Sequence, residues 1–260
     1  MRVFGCFLLF HMLFDFYFQS NKMAGEKEYS RIALAMHCLV YAAGAAATVA
    51  LLFEASATAI AASFTVFALS HWIIDGSLRR AFAGLDLSPV GSFLADQVLH
   101  IIILLILSVL CCYLWAMRPI ASNLLGARGA ELSWISTLCF CGRPCSIVIA
   151  KVLQSLRNPG VEQSADTTTA HSGKWIGIFE RLIVAALSLL NQYSAIAFIF
   201  TAKSIARFKQ LESDKDFAEV YLLGSLASVF LAMASAILFS YLFGSVRPNL
   251  TRSAVRRTGK

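Results

Sequence analysis

The sequence predicts an all-α fold, a polytopic transmembrane helical bundle with a four-helix N-terminal core, a C-terminal helical hairpin and a final span. Three observations predict it. Of the 260 residues, 58% are hydrophobic and 14% charged, where soluble domains carry about 25% charged residues. The mean hydropathy is +0.70. The apolar runs are continuous and reach the ~20 residues that an α-helix needs to cross a bilayer, whereas a β-barrel would show ~10-residue segments of alternating polarity. A water-soluble globular fold is excluded.

Four spans are expected in residues 1–117, at about 3–19, 32–53, 57–78 and 95–117, forming two helical hairpins. The first run carries His11 and Asp15 and no small-residue cleavage site, so it is not a cleavable signal peptide. Bases flank these runs: Lys22, Lys27 and Arg31 after the first, Arg79 and Arg80 after the third. The turn between the second and third holds Glu54 and no base. The positive-inside rule then puts both basic loops in the cytoplasm and the N-terminus outside. The formal charge of +7 has the same origin, together with the tail Arg247, Arg252, Arg256, Arg257 and Lys260. It points to topology rather than to nucleic acid.

Residues 118–173 read as an interfacial segment and a polar linker. The stretch 131–150 is apolar, but Arg143 and Pro144 sit at its centre, so it is expected to be interfacial or partly inserted. Its Cys139, Cys141 and Cys145 lack metal-ligand spacing and suit packing. Residues 157–173, with a solvated His171, form the linker. Residues 174–245 form a second module. Here Asn191-Gln192-Tyr193-Ser194 breaks an apolar run that starts at Trp175. As one helix it would hold Glu180 and Lys203 about 35 Å apart, whereas a hairpin with its tip near Gln192 sets them level. The hairpin is expected, with Glu180 paired to Lys203 or Arg207. The last span lies at about 219–243, followed by the basic tail 246–260.

Ionisable residues inside spans are costly and call for a reason. The first span contains H-M-L-F-D-F-Y-F-Q, with His11, Asp15 and Gln19 at i, i+4, i+8. The third contains H-W-I-I-D, with His71 and Asp75 at the same spacing. The second opens with His37, and the fourth opens with Asp96, Gln97 and His100. Because successive spans run antiparallel, these residues fall in one layer near one membrane face. They also form an approximate repeat, in which each hairpin supplies a His/Asp pair from its outgoing helix and a His from its returning one. Helical bundles build metal sites from such facing side chains. His11, Asp15, His37, His71, Asp75 and His100 are therefore candidate ligands for a divalent transition metal, zinc, iron or manganese. Asp96 is a candidate general base, or an orienting partner of a ligand histidine. Gln19, Lys22 and Gln97 are candidate contacts for a polar or anionic head group. A proton or ion relay and plain polar packing between helices are the competing readings of the same residues.

The opening H-M-L-F-D-F-Y-F-Q with Lys22 after it, His37, H-W-I-I-D and D-Q-V-L-H resemble a bacterial multi-pass membrane family known as domain of unknown function 3307. The resemblance extends through G-I-F-E-R (177–181), N-Q-Y-S-A-I (191–196) and A-K-S-I-A-R-F (202–208), and leaves 118–172 unmatched. It implies the bacterial cytoplasmic membrane and brings no activity. The His/Asp pattern also loosely resembles membrane-bound metal-dependent hydrolases. The functional expectation is a metal-dependent hydrolase acting on a lipid-linked or membrane-proximal substrate. The alternatives are a proton- or ion-coupled transporter or channel using the same cluster, and a non-enzymatic scaffold.

Overall fold

The computed structural model describes residues 1–27, 29–78, 84–85, 87–156 and 167–244; Arg79, Arg80, the first part of the expected linker and the basic tail lie outside the described residues. The chain is all-α. Helix α1 (Arg2–His11) runs straight into a π-helical turn, π1 (Met12–Tyr17). After the short α2 (Asn21–Glu26) come α3 (Arg31–Leu52), α4 (Ala57–Trp72), a second π-helical turn π2 (Ile73–Leu78) and α5 (Pro89–Leu114). Then follow α6 (Pro119–Ala127), α7 (Gly129–Cys141), α8 (Arg143–Leu156), α9 (Thr167–Leu189), α10 (Tyr193–Ala206), α11 (Phe208–Ser213) and α12 (Lys215–Phe243).

Local chemistry sets the helix starts. Ser20, Ser30, Ser56 and Ser88 each accept a hydrogen bond from the backbone N–H three residues on, which satisfies a donor that the first helical turn leaves open. Pro89 follows Ser88 at the position where its missing N–H costs nothing.

Five helices among the described residues are long and apolar enough to cross a membrane: Arg31–Leu52, Ala57–Ser77, Pro89–Leu114, Gly129–Ser155 and Lys215–Phe243. On α5, Ile101, Ile102, Leu105, Ile106 and Val109 all face outward. In water that would be an unusually large apolar patch, and in lipid it is the expected outer face.

Two segments depart from expectation. The first span is helical over 10 and then 6 residues, about 24 Å at the α-helical rise and short of the ~30 Å hydrocarbon core. The stretch expected to be interfacial instead lies within a 27-residue helical segment, Gly129–Ser155, long enough to cross. Arg143 and Pro144 do not end it, for identifiable reasons. Pro144 is the second residue of α8, where no helical hydrogen bond is lost. The Arg143 guanidinium donates to the carbonyls of Phe16 (2.7 Å) and Gln19 (3.1 Å) at the end of the first span. Tyr17 completes the latch, its hydroxyl donating to Cys139 O at 2.7 Å and accepting from the Arg143 backbone N–H at 3.0 Å.

The expected hairpin is present as α9, a turn and α10. Asn191 takes φ 58° in the turn, a left-handed conformation that Asn tolerates. Lys203 Nζ donates to both Glu180 oxygens, at 2.9 and 2.6 Å, and to Ser225 Oγ at 2.9 Å. Arg207 lies over the rings of Phe217 and Tyr221 instead.

Small residues let the helices approach. A β-carbon on Gly44 would come within 2.6 Å of the Phe14 ring, and one on Gly5 within 2.8 Å of Phe243. Helices α7 and α12 meet through Ser133 and Ser240, whose hydroxyls are 3.2 Å apart, and through Cys141 and Ser235. Phe239, Leu242 and Phe243 of α12 join Phe7, Phe10, Tyr41 and Phe67 in one core, so the final helix packs on the N-terminal helices. At the far end from the His/Asp layer, Arg118 Nε donates to Ala50 O and Phe53 O, each at 2.9 Å, tying the α3–α4 turn to the end of α5.

Candidate metal centre

The His/Asp layer is assembled from four helices. Helix α1 and π1 bring His11 and Asp15, α3 brings His37, α4 and π2 bring His71 and Asp75, and α5 brings Asp96, Gln97 and His100. All eight are buried except the partly exposed Gln97. Each π-turn directly follows a histidine helix and contains the paired aspartate. In π1 the Phe18 N–H bonds Leu13 O, five residues back, at 2.8 Å. Such turns are rare and gather at functional sites.

Four side chains converge most closely. His37 Nε2 lies 3.2 Å from Asp15 Oδ1, 2.9 Å from His71 Nε2 and 3.5 Å from Asp75 Oδ2. His71 Nε2 lies 3.8 Å from Asp15 Oδ1 and 3.7 Å from Asp75 Oδ2. A tetrahedral ion with nitrogen and oxygen ligands at 2.0–2.1 Å separates those ligands by about 3.3 Å. The five distances bracket that edge, and the ligand atoms of Asp15, His37, His71 and Asp75 all lie within 4.8 Å of one another, compact enough to hold an ion. Asp75, Asp96 and His100 form a second, overlapping group with ligand atoms within 4.8 Å of one another.

The surrounding hydrogen bonds fix which nitrogen of His100 and of His71 carries its proton. His100 Nδ1 is 3.0 Å from the carbonyl oxygen of Asp96. A carbonyl only accepts, so Nδ1 bears the proton and His100 Nε2 is a lone pair. That lone pair is 2.9 Å from His71 Nδ1, which must then be the donor. His71 Nε2 is left as a lone pair beside the two aspartates, so in its 2.9 Å contact with His37 Nε2 the latter is the donor, as it is toward Asp15 Oδ1. The Tyr41 ring, stacked on His71 at 3.8 Å and 11°, holds this orientation.

His11 stands beside the four, not among them. Its Nδ1 faces the Tyr41 hydroxyl at 3.1 Å and its Nε2 faces Gln97 Oε1 at 3.3 Å. Gln97 Nε2 in turn donates to Asp96 Oδ2 at 3.1 Å. Gln19 is buried, its Nε2 without a hydrogen-bond partner among the described residues. Lys22 is not brought to the cluster: its side chain is 82% exposed and lies 3.8 Å from Glu26. The lysine at the site is Lys27, whose ammonium is 2.6 Å from Asp75 Oδ2 with both side chains buried. Sequence reasoning passed over Lys27 and Tyr41. Tyr41 was within reach, since it follows His37 at the same i, i+4 spacing as the His/Asp pairs. Lys27 comes from a loop, which has no periodicity to read.

No curated protein and no solved structure matches the chain at a significant level. One family model does, described as a protein of unknown function, and its match ends before the motifs G-I-F-E-R, N-Q-Y-S-A-I and A-K-S-I-A-R-F. Every residue of the His/Asp layer falls inside it: the DUF3307 family model matches residues 3–122.

Proposed function

We propose that Asp15, His37, His71 and Asp75 hold one divalent transition metal, and that the protein is a metal-dependent hydrolase of a membrane-proximal substrate in a bacterial cytoplasmic membrane. The observation that carries this reading is the His71 Nε2 lone pair, fixed by its neighbours and placed beside two carboxylate oxygens and His37 Nε2 at near-tetrahedral spacing; His37 would join as a ligand with its proton on Nδ1, which has no partner among the described residues. The mixed nitrogen and oxygen set suits zinc, iron or manganese. Such an ion supplies Lewis acidity, which activates water and polarises an ester or phosphoryl oxygen.

The chain's own groups have distinct parts. His100 takes the His71 Nδ1–H and presets that ring for binding. Lys27 neutralises one of the two ligand carboxylates and steadies Asp75. Asp96, buried at the start of α5 and lining the cavity beside Asp15, is placed to take a proton from water. His11 orients Gln97 through its Nε2. Lys22 has no part in this site. The basic loops support a cytoplasmic face for it.

Metal analysis of the detergent-purified protein tests the reading. We expect about one equivalent of a transition metal in the wild type and none in His71→Ala. A metal-free wild type, or an unchanged content in the variant, would overturn it. A second reading, a proton relay, rests on the line His37–His71–His100, joined by two contacts of 2.9 Å. It predicts proton flux in proteoliposomes that is lost in His71→Ala with no metal involved.

A further inference from the structure

Two cavities of different character meet at the His/Asp layer. One, of about 180 Å³, is the more polar, and its wall includes Asp15, Gln19, Lys27, Asp96, Arg143 and Lys151. Lys27 is spent on Asp75, which leaves Arg143 and Lys151 as this wall's cations, opposite Asp15 and Asp96. The Gln19 Nε2 donor is buried on this wall with no acceptor among the described residues, and buried donors are seldom left so without cause. The other cavity, of about 300 Å³, is almost wholly apolar, lined by Leu8, Met12, Val148, Leu231, Ala234 and Phe239, with His11 at its edge. Phe16, Phe93 and Gln97 belong to both walls, so the two spaces adjoin at the cluster.

We infer that the two cavities together hold one single-chain amphiphile, its hydrocarbon tail in the apolar cavity and a phosphate monoester head in the polar one. A phosphate head matches this wall because Lys151, Arg143 and the Gln19 amide all carry donors on it. A hydrocarbon tail matches the apolar wall, which offers it almost no polar surface. Helices α8 and α12 supply much of that wall, which gives the part of the chain beyond the DUF3307 domain a role in closing the site. That this amphiphile is the substrate rests on the metal-dependent hydrolase reading; that it binds does not. In hydrolysis the oxygen of water bonds to phosphorus and the ester P–O bond breaks. The proton leaves with the lipid alcohol by way of Asp96, and inorganic phosphate is released.

Native mass spectrometry of the full chain, stripped of metal with a chelator, tests the binding. The probes are 1-oleoyl lysophosphatidic acid and monooleoylglycerol. We expect a one-to-one lysophosphatidic acid adduct at concentrations about tenfold below those needed for monooleoylglycerol, since only the former offers charge-assisted hydrogen bonds. Ala234→Phe and Val148→Phe, which fill the apolar cavity from different helices, should each remove the adduct, and Lys151→Gln should weaken it several-fold with helix content unchanged. Equal adducts from both probes, or an undiminished adduct in a folded cavity-filling variant, would overturn the inference. An intact adduct in a protein that never carries metal would refute the hydrolase reading and leave this binding site standing.

Discussion

His100→Phe probes the centre without touching a proposed ligand. In the wild type the His71 proton is held on Nδ1 by His100 Nε2 at 2.9 Å, leaving Nε2 open inward. Phenylalanine fills similar space but accepts no hydrogen bond. In the metal-free variant the His71 proton can move to Nε2, where Asp15 and Asp75 lie within 3.8 Å. Binding an ion then means returning that proton to a buried Nδ1 that has lost its acceptor. A buried unsatisfied donor costs about 1–3 kcal/mol, and ~1.4 kcal/mol is tenfold in affinity. Metal affinity should therefore fall about 10–100-fold, the usual range when an outer partner of a ligand histidine is lost. His100→Gln keeps a carbonyl acceptor in place and should recover part of the loss. The assay is chelator competition on detergent-purified protein, with metal content read by mass spectrometry. Equal affinities for wild type and His100→Phe would refute the tautomer reasoning, even if the metal itself is present.

Three further perturbations separate the forces involved. Lys27→Met leaves the Asp75 carboxylate buried without its ammonium, and removing one partner of a buried pair costs about 3–5 kcal/mol. The loss in thermal stability should be large under chelation and mostly restored by added metal; equal loss in both conditions would argue against an ion at the site. Gly44→Val drives a side chain into the Phe14 ring and should cost about 1–3 kcal/mol by overpacking, with no recovery on adding metal; an unchanged melting temperature would show that Phe14 moves freely. Glu180→Lys and Lys203→Glu should each destabilise by about 1–3 kcal/mol through loss of a charge-assisted bond. The double exchange should regain most of that, and failure to do so would count against the hairpin pairing.

Much of this was legible in the sequence because it depends on one dimension. The length and apolar composition of the second, third, fourth and last spans read directly, and so did the depth of His11, Asp15, His37, His71, Asp75 and His100, since antiparallel helices bring equal offsets from a loop to equal depth. The Glu180–Lys203 pair was found in the same way, from its symmetry about Gln192. Azimuth was not legible. His11 and His100 share the layer, yet their nitrogens turn to Tyr41, Gln97 and the Asp96 carbonyl, and spacing alone could not sort them from His37 and His71. Arg143 looked like an obstacle to insertion because a lone charge in an apolar run is one. It is tolerated because two carbonyls at the end of another helix, more than 120 positions away, accept its protons.

The two π-turns explain why azimuth escaped. An uninterrupted α-helix carries residues at i and i+4 on one face, about 40° apart. Widening the turn by one residue shifts everything after it by about one residue's rotation, some 100°. In the first helix this lets His11 face Tyr41 and Gln97 while Asp15, four residues on, reaches His37 across the bundle at 3.2 Å. In the third, His71 and Asp75 both reach His37 Nε2, at 2.9 and 3.5 Å. Nothing in M-L-F-D-F-Y or I-I-D-G-S-L marks a π-turn. The regular α-helical hydrogen bonds given up there must be offset by what the turns allow, and in both cases what they allow is an aspartate brought against His37. The same distortion occurs twice, each time beside a histidine and around an aspartate. That repetition is hard to attribute to packing alone, because the apolar neighbours of the two turns differ. It is what a site needing two carboxylates on one imidazole would select.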